Sequence, residues 1–177
     1  YIPTNGSTVQ RAAETCNESG NSEVFNDSQG VLFANTSIFS NDGTSRRISL
    51  TDGTISNRVS MEFDEIANTL KLFIDSSVLI ANNLNLTNFS KISAKYKAND
   101  SALWVNGFEV VTSTTSSNVP SGLDRLNFDG GDLNNDFYGK TKEIAYYDEI
   151  LTDLELETLT SYRSLNEMVT ELNLNAL

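Results

Sequence analysis

FSKISAKYKANDSALWVNGFEVVTSTT, residues 89–115, and LDRLNFDGGDLNNDFYGKTKEIAYYDEILTDLELETLTSY, residues 123–162, decide the fold. In the first, Asn106-Gly107 stands between two runs of strand-forming residues, 101–105 and 108–112. A two-residue type I′ turn needs positive φ at both central positions, which Asn tolerates and Gly adopts freely. Asn99-Asp100 marks a second reversal just upstream. Three antiparallel strands are therefore expected in succession, with Trp104 in the middle one. The chain reads as all-β, with helix only at its end.

Short alternating blocks separated by Asn, Asp and Gly turns extend this pattern upstream. Residues 30–39 (GVLFANTSIF) read as a core strand, Asn41-Asp42-Gly43-Thr44 as a turn, and residues 46–51 as a strand with Ile48 and Leu50 on one face. After Asp52-Gly53, residues 57–63 set Val59, Met61 and Phe63 against Arg58, Ser60 and Glu62. Residues 68–74 set Leu70, Leu72 and Ile74 against Thr69, Lys71 and Phe73; residues 78–81 are a shorter candidate. Residues 89–97 set Ile92, Ala94 and Tyr96 against Ser93, Lys95 and Lys97. Successive side chains of a strand point to opposite faces, so one set of each pair belongs to a core.

Downstream, residues 125–128 form a short strand and residues 137–148 a long one. The period then changes. Thr152 or Asp153 can cap a helix carrying Leu154, Leu156, Leu159 and Tyr162, and Ser164 with Glu167 forms a capping box for a second over residues 164–172. The whole is expected to be a two-sheet antiparallel sandwich rather than a set of βαβ units. Its expected parts are an opening segment over residues 1–22, the sandwich over 23–162 and a helical tail over 163–177.

The 177 residues suffice for one ordinary core and are short for two. A net charge of −12 repels nucleic-acid backbones and anionic membranes, so neither is an expected partner. No apolar run approaches the ~20 residues of a membrane helix. The chain begins Tyr1-Ile2-Pro3 and is expected to be a piece of a longer polypeptide. With no histidine and a single cysteine, Cys16, it lacks the residues for a His/Cys zinc site, a Ser-His-Asp triad or an intrachain disulfide.

Residues 104–110, 139–147 and 151–155 together resemble the concanavalin A-like lectin/glucanase superfamily, in its laminin G-like or pentraxin-like branch. The matching elements are the aromatic–Asn-Gly hairpin, the Gly-led strand and the Leu-Thr-Asp-x-Glu helix start, within residues 30–162. The resemblance implies a jelly-roll sandwich. YIPTNGSTVQRAAE (1–14) and SYRSLNEMVTELN (161–173) resemble segments bracketing such domains in bacteriophage tail-fibre and other virion proteins. That likeness implies a homotrimeric fibre module on the virion, meeting other virion subunits and host-surface polysaccharide.

Glucanases of this fold carry Glu-x-Asp-x-(x)-Glu, and Glu62-Phe63-Asp64-Glu65-Ile66-Ala67 is the nearest text. Glu62 and Asp64 share a face, but Ile66 and Ala67 stand where the third carboxylate is needed, so the chain is expected not to be an enzyme. The loop Asp129-Gly130-Gly131-Asp132-Leu133-Asn134-Asn135-Asp136 carries the hard oxygen ligands Ca²⁺ prefers, with Asp129, Asp132 and Asp136 as candidate metal ligands. A plain solvated loop is the other reading. Asn41, Asp42 and Asp52 are further candidates by analogy with calcium-binding laminin G-like rims, or simply turn residues.

Phe137, Tyr138, Tyr146 and Tyr147 put aromatic faces near that loop; alternation sends Tyr146 and Tyr147 to opposite sides. Trp104 reads as core rather than platform. Arg46, Arg47 and Arg58 either meet an acidic glycan or pair with surface carboxylates. The leading expectation is a non-catalytic carbohydrate-binding module whose contacts are Asn41, Asp42, Asp129, Asp132, Asn134, Asn135, Asp136 and Tyr138, with no required cofactor beyond a possible calcium ion. The alternative is a structural decoration or oligomerisation domain without a bound glycan, using the apolar Leu172, Leu174 and Leu177 at its end.

Overall fold

Asn106 (φ 52°) and Gly107 (φ 89°) form the tight reversal the sequence requires, joining β7 (Ser101–Val105) to β8 (Phe108–Ser113). Asn99 (φ 60°) turns β6 (Ser90–Lys97) into β7, with the Asp100 N–H donating to the Lys97 carbonyl at 3.1 Å. These belong to a computed structural model that describes residues 19–162 and Glu167. The remaining strands are β1 (Gln29–Ile38), β2 (Arg46–Thr51), β3 (Arg58–Phe63), β4 (Leu70–Ile74), β5 (Ser77–Ala81), β9 (Arg125–Asn127) and β10 (Gly139–Tyr147), followed by α1 (Asp153–Thr160).

The strands form two five-stranded sheets, ordered β10-β1-β6-β7-β8 and β5-β4-β3-β2-β9. Every neighbouring pair is antiparallel. The molecule is thus an all-β jelly-roll sandwich. Between the sheets lie Leu32 and Ala34 of β1, Ile92, Ala94 and Tyr96 of β6, and Leu103 of β7. Facing them are Ile48 and Leu50 of β2, the Val59, Met61 and Phe63 set of β3, and the Leu70, Leu72 and Ile74 set of β4. The period-two sets read from the sequence are the inward sets here. Burying each such Leu, Ile, Val or Phe contributes roughly 1.5–3 kcal/mol, which makes this layer the main source of stability.

Trp104 is buried as expected, but not between the sheets. It lies with Val31 and Ala102 on the outer face of the first sheet, under Leu156 of α1, with Tyr147 and Leu151 packed alongside. Tyr146 points the other way, its hydroxyl 2.9 Å from that of Tyr96. Of the two possible caps, Thr152 is the one used: its side chain accepts from the Glu155 N–H, and the Glu155 carboxylate accepts from the Thr152 N–H at 2.8 Å. At the other end the Gly107 N–H donates to the Thr160 hydroxyl at 3.1 Å, pinning α1 to the hairpin. Ser19 bridges Leu126 on the edge strand β9. Cys16, the helix expected over residues 164–172 (Glu167 apart) and the apolar chain end fall outside the described residues.

Candidate functional site

In β3, alternate residues must face away from the core, and these are Arg58, Ser60 and Glu62. All three are nevertheless buried. The register explains the company they keep. Glu62 stands between Arg47 of β2 and Lys71 of β4, Ser60 between Ser49 and Phe73, and Arg58 beside Thr51. Val78 and Ile80 of β5 continue the rows beyond Phe73 and Lys71. The outer face of this sheet is therefore a band of cations, carboxylates and one aromatic ring.

Most of these charges neutralise one another. Glu62 accepts from the Arg47 guanidinium, and the Lys71 ammonium lies 3.7 Å from Glu62 and 2.6 Å from Asp64. Arg46 pairs with Asp42 at 2.6 Å. Arg58 differs. It is 7 % exposed, its Nε and Nη1 have no hydrogen-bond partner, and among the described residues no ion pair includes it. Its guanidinium lies over the Phe73 ring at 4.6 Å, with Arg47 over the same ring at 5.2 Å. Burial, then the charge of Arg47, pull the Arg58 pKa down, opposed by Glu62 and Asp132. An arginine stays protonated through such shifts, so this is a desolvated cation with two donors, Nε and Nη1, that are both covered and unused.

A shallow pocket of about 350 Å³ opens at this point, lined by Ile55, Ser56, Arg58, Phe73, Asp75 and Ser76. Its chemistry is specific. A guanidinium fork matches a planar carboxylate through paired N–H···O bonds, and such charge-assisted bonds are the strong ones. Ser56 adds a hydroxyl that can donate or accept, the Ser76 hydroxyl is engaged with Asp75 and the Asn118 amide, and Ile55 and Phe73 supply apolar walls.

The acidic loop expected to carry the site lies beside this band. The Arg47 N–H donates to the Asn135 carbonyl at 2.9 Å, and the Ser49 hydroxyl donates to the Asp129 carbonyl at 2.7 Å. Asp129, expected as a sugar and metal contact, is buried; its Oδ1 accepts from the Gly131 N–H at 2.5 Å and the Asn127 amide at 3.4 Å. It builds the loop instead of facing a ligand. Asp132 accepts from the Asn134 N–H at 3.3 Å and the Asn134 amide at 3.0 Å. Asp136 is exposed. Among the described residues no three Asp, Glu, Cys or His side chains converge where they could hold a metal ion, so the expected calcium trio does not assemble.

Asn41 and Asp42 sit in the turn before β2. The Asn41 amide donates to Asn68 at 3.0 Å, and hydrogen bonds from Arg46 first, then Ser40 and Thr44, hold the Asp42 carboxyl well below the usual carboxylate range. Asp52 bonds its own turn, accepting from the Thr54 N–H at 2.9 Å. Tyr138 is exposed and meets Phe39 ring to ring at 5.1 Å, so Phe39 joins the Tyr138 end of the loop to the Asn41–Asp42 turn. Sequence reasoning missed Ile55, Ser56, Phe73, Asp75 and Ser76, and left Arg58, with Arg46 and Arg47, between an acidic glycan and ordinary surface pairing. The available signal was the β3–β4 hairpin itself, whose register puts an outward Arg and an outward Phe on neighbouring strands.

No family model matches the chain, and no curated protein matches it. Solved structures do. The CBM40 domain of the Ruminococcus gnavus IT-sialidase, bound to alpha2,3 sialyllactose, superposes with a TM-score of 0.66 at 15 % identity, over 84 % of this chain and 97 % of that one. The native heptameric SAP-like pentraxin of Limulus polyphemus gives 0.63 at 15 % identity, over 84 % and 76 %. The leech intramolecular trans-sialidase, complexed with 2,7-anhydro-Neu5Ac, gives 0.62 at 16 % identity over 78 % of this chain, which spans 24 % of that enzyme. At such identities the likeness is one of fold.

Proposed function

We propose that this chain is a non-catalytic carbohydrate-binding module that receives an acidic sugar on the outer face of the β5-β4-β3-β2-β9 sheet, with the sugar carboxylate on Arg58. One observation carries the reading: a buried, unpartnered guanidinium at the wall of an open pocket. A protein interior leaves such donors unpaired at a penalty of about 1–3 kcal/mol or more, so their persistence at a surface pocket points to a ligand. The similar CBM40 domain held a carboxylated trisaccharide, which supports the choice of probe. A catalytic role fits poorly, because Glu62 and Asp64 are engaged by Arg47 and Lys71.

A pocket this shallow gives weak single-site binding, which repetition in a larger assembly multiplies. A trimeric virion fibre displaying the module against host polysaccharide is one such assembly; it is supported only by the flanking segments, most of which lie outside the described residues. One observation favours the structural alternative. Tyr147, Leu151, Leu154 and Leu159 line an apolar groove along α1, with Leu154 72 % exposed. Cell-surface binding by the isolated chain separates the two readings.

Titration with alpha2,3-sialyllactose and with lactose is the direct test. The acidic sugar is expected to bind and the neutral one to bind at least about tenfold more weakly, with Arg58→Gln abolishing the difference. Equal affinity of wild type and Arg58→Gln for sialyllactose, with the fold intact by circular dichroism, overturns the assignment.

A further inference from the structure

We infer that the Arg58 pocket selects glycans bearing a single carboxylate on an otherwise neutral chain and turns polyanions away, with Asp75 as the residue that sets this limit. The inference rests on the glycan reading above and adds to it the number of charges the ligand carries.

On this face Arg47 is matched by Glu62, and Lys71 by Glu62 and Asp64, which leaves Arg58 as the uncompensated cation among the described residues. The surroundings of the pocket are acidic. Asp75 lines the pocket with Arg58. Asp52 opens the loop that carries Ile55 and Ser56; burial pushes its carboxyl up, but hydrogen bonds from Thr54 and Asn57 outweigh that and hold it below its usual pKa, so it is ionised. Asp132 stands over Arg47: its Oδ1 and the Arg47 Nη1 lie 3.1 Å and 3.0 Å from the point a Cβ on Gly130 would occupy.

A first ligand carboxylate meets the Arg58 fork. A second negative charge one sugar away meets carboxylates and no free cation. Opposed like charges of this kind reject wrong partners more than they tighten the right one. Sulfated chains and polyuronates carry a charge on nearly every residue and fail this requirement, whereas a neutral chain ending in one carboxylated sugar satisfies it.

Asp75 offers a clean substitution. It adopts φ 51° at the β4–β5 turn, its N–H donates to the Arg58 carbonyl at 2.8 Å, and its carboxylate accepts from the Ser76 hydroxyl at 3.1 Å. Asn takes the left-handed conformation as readily as Asp and keeps an acceptor oxygen, so Asp75→Asn removes the charge and leaves the turn.

The test is calorimetric titration of the full chain, wild type and Asp75→Asn, with alpha2,3-sialyllactose and with heparin at low ionic strength. Wild type is expected to bind sialyllactose and to give no measurable heat with heparin. Asp75→Asn is expected to raise heparin affinity about tenfold or more and sialyllactose affinity by a smaller factor, because heparin carries many charges and sialyllactose one. Heparin binding to wild type as tightly as sialyllactose, or heparin affinity unmoved by Asp75→Asn, overturns this inference alone. Failure of sialyllactose to bind wild type overturns the proposed function and this inference with it.

Discussion

Arg58 and Arg47 occupy outward positions on neighbouring strands, yet their surroundings predict opposite responses to truncation. Arg47 holds Glu62, a carboxylate that is itself buried. Replacing Arg47 by Met leaves that charge with only the longer Lys71 contact, at 3.7 Å, and is expected to destabilise the fold by about 2 kcal/mol or more. Arg58 has no carboxylate to abandon, and its aliphatic stem is replaced by that of Met. Arg58→Met is therefore expected to leave the unfolding free energy unchanged or raise it, while removing the sugar interaction. Urea unfolding of the two variants measures this, and equal losses for both would show that Arg58 is a structural cation. The sequence displayed all these arginines. What it hid was their pairing, which depends on which carboxylate each register places opposite; alternation alone treats Arg46, Arg47 and Arg58 alike.

Strands and turns were the most legible level, because their determinants are local. Alternation identified the inward sets of β2, β3, β4 and β6, and Asn-Gly identified the β7–β8 reversal. Gly107 is the sharpest case. Its φ of 89° disfavours any Cβ, and a Cβ there would meet the Ser161 hydroxyl at 2.7 Å, since α1 ends against this turn. Gly107→Ala is expected to lower stability by roughly 1–2 kcal/mol through both effects, read as a fall in thermal midpoint. A change within error would mean that the hairpin and α1 are not coupled as drawn. The acidic loop was the least legible element. Its composition matches a calcium or sugar site, but Asp129 and Asp132 satisfy loop amides, an outcome set by backbone conformation (Leu133 at φ 61°, Asn135 at φ 59°) that composition does not encode. The burial of Arg58, Ser60 and Glu62 was equally hidden, because it comes from side chains and loops distant in sequence.

At the scale of the molecule, a net charge of −12 surrounds a buried guanidinium that has no ion pair among the described residues, and the two act over different distances. The guanidinium acts on a bound carboxylate at contact, about 3 Å, a range that mobile ions hardly enter. The carboxylates scattered over the surface act on an approaching anion over tens of ångströms when salt is low. Raising ionic strength from about 0.01 M to about 0.15 M shortens the Debye length from about 30 Å to about 8 Å, so it removes the distant repulsion and leaves the contact attraction nearly intact. The affinity for a monoanionic sugar is therefore expected to hold level or rise a few-fold across that range, with the gain in the association rate. A site built as a cationic patch behaves in the opposite way, losing affinity steeply as counterions compete. Surface plasmon resonance with immobilised alpha2,3-sialyllactose at graded NaCl distinguishes the two. A steep decline with salt would mean that the ligand is held by a broader basic surface than Arg58, and would place the site elsewhere on the molecule.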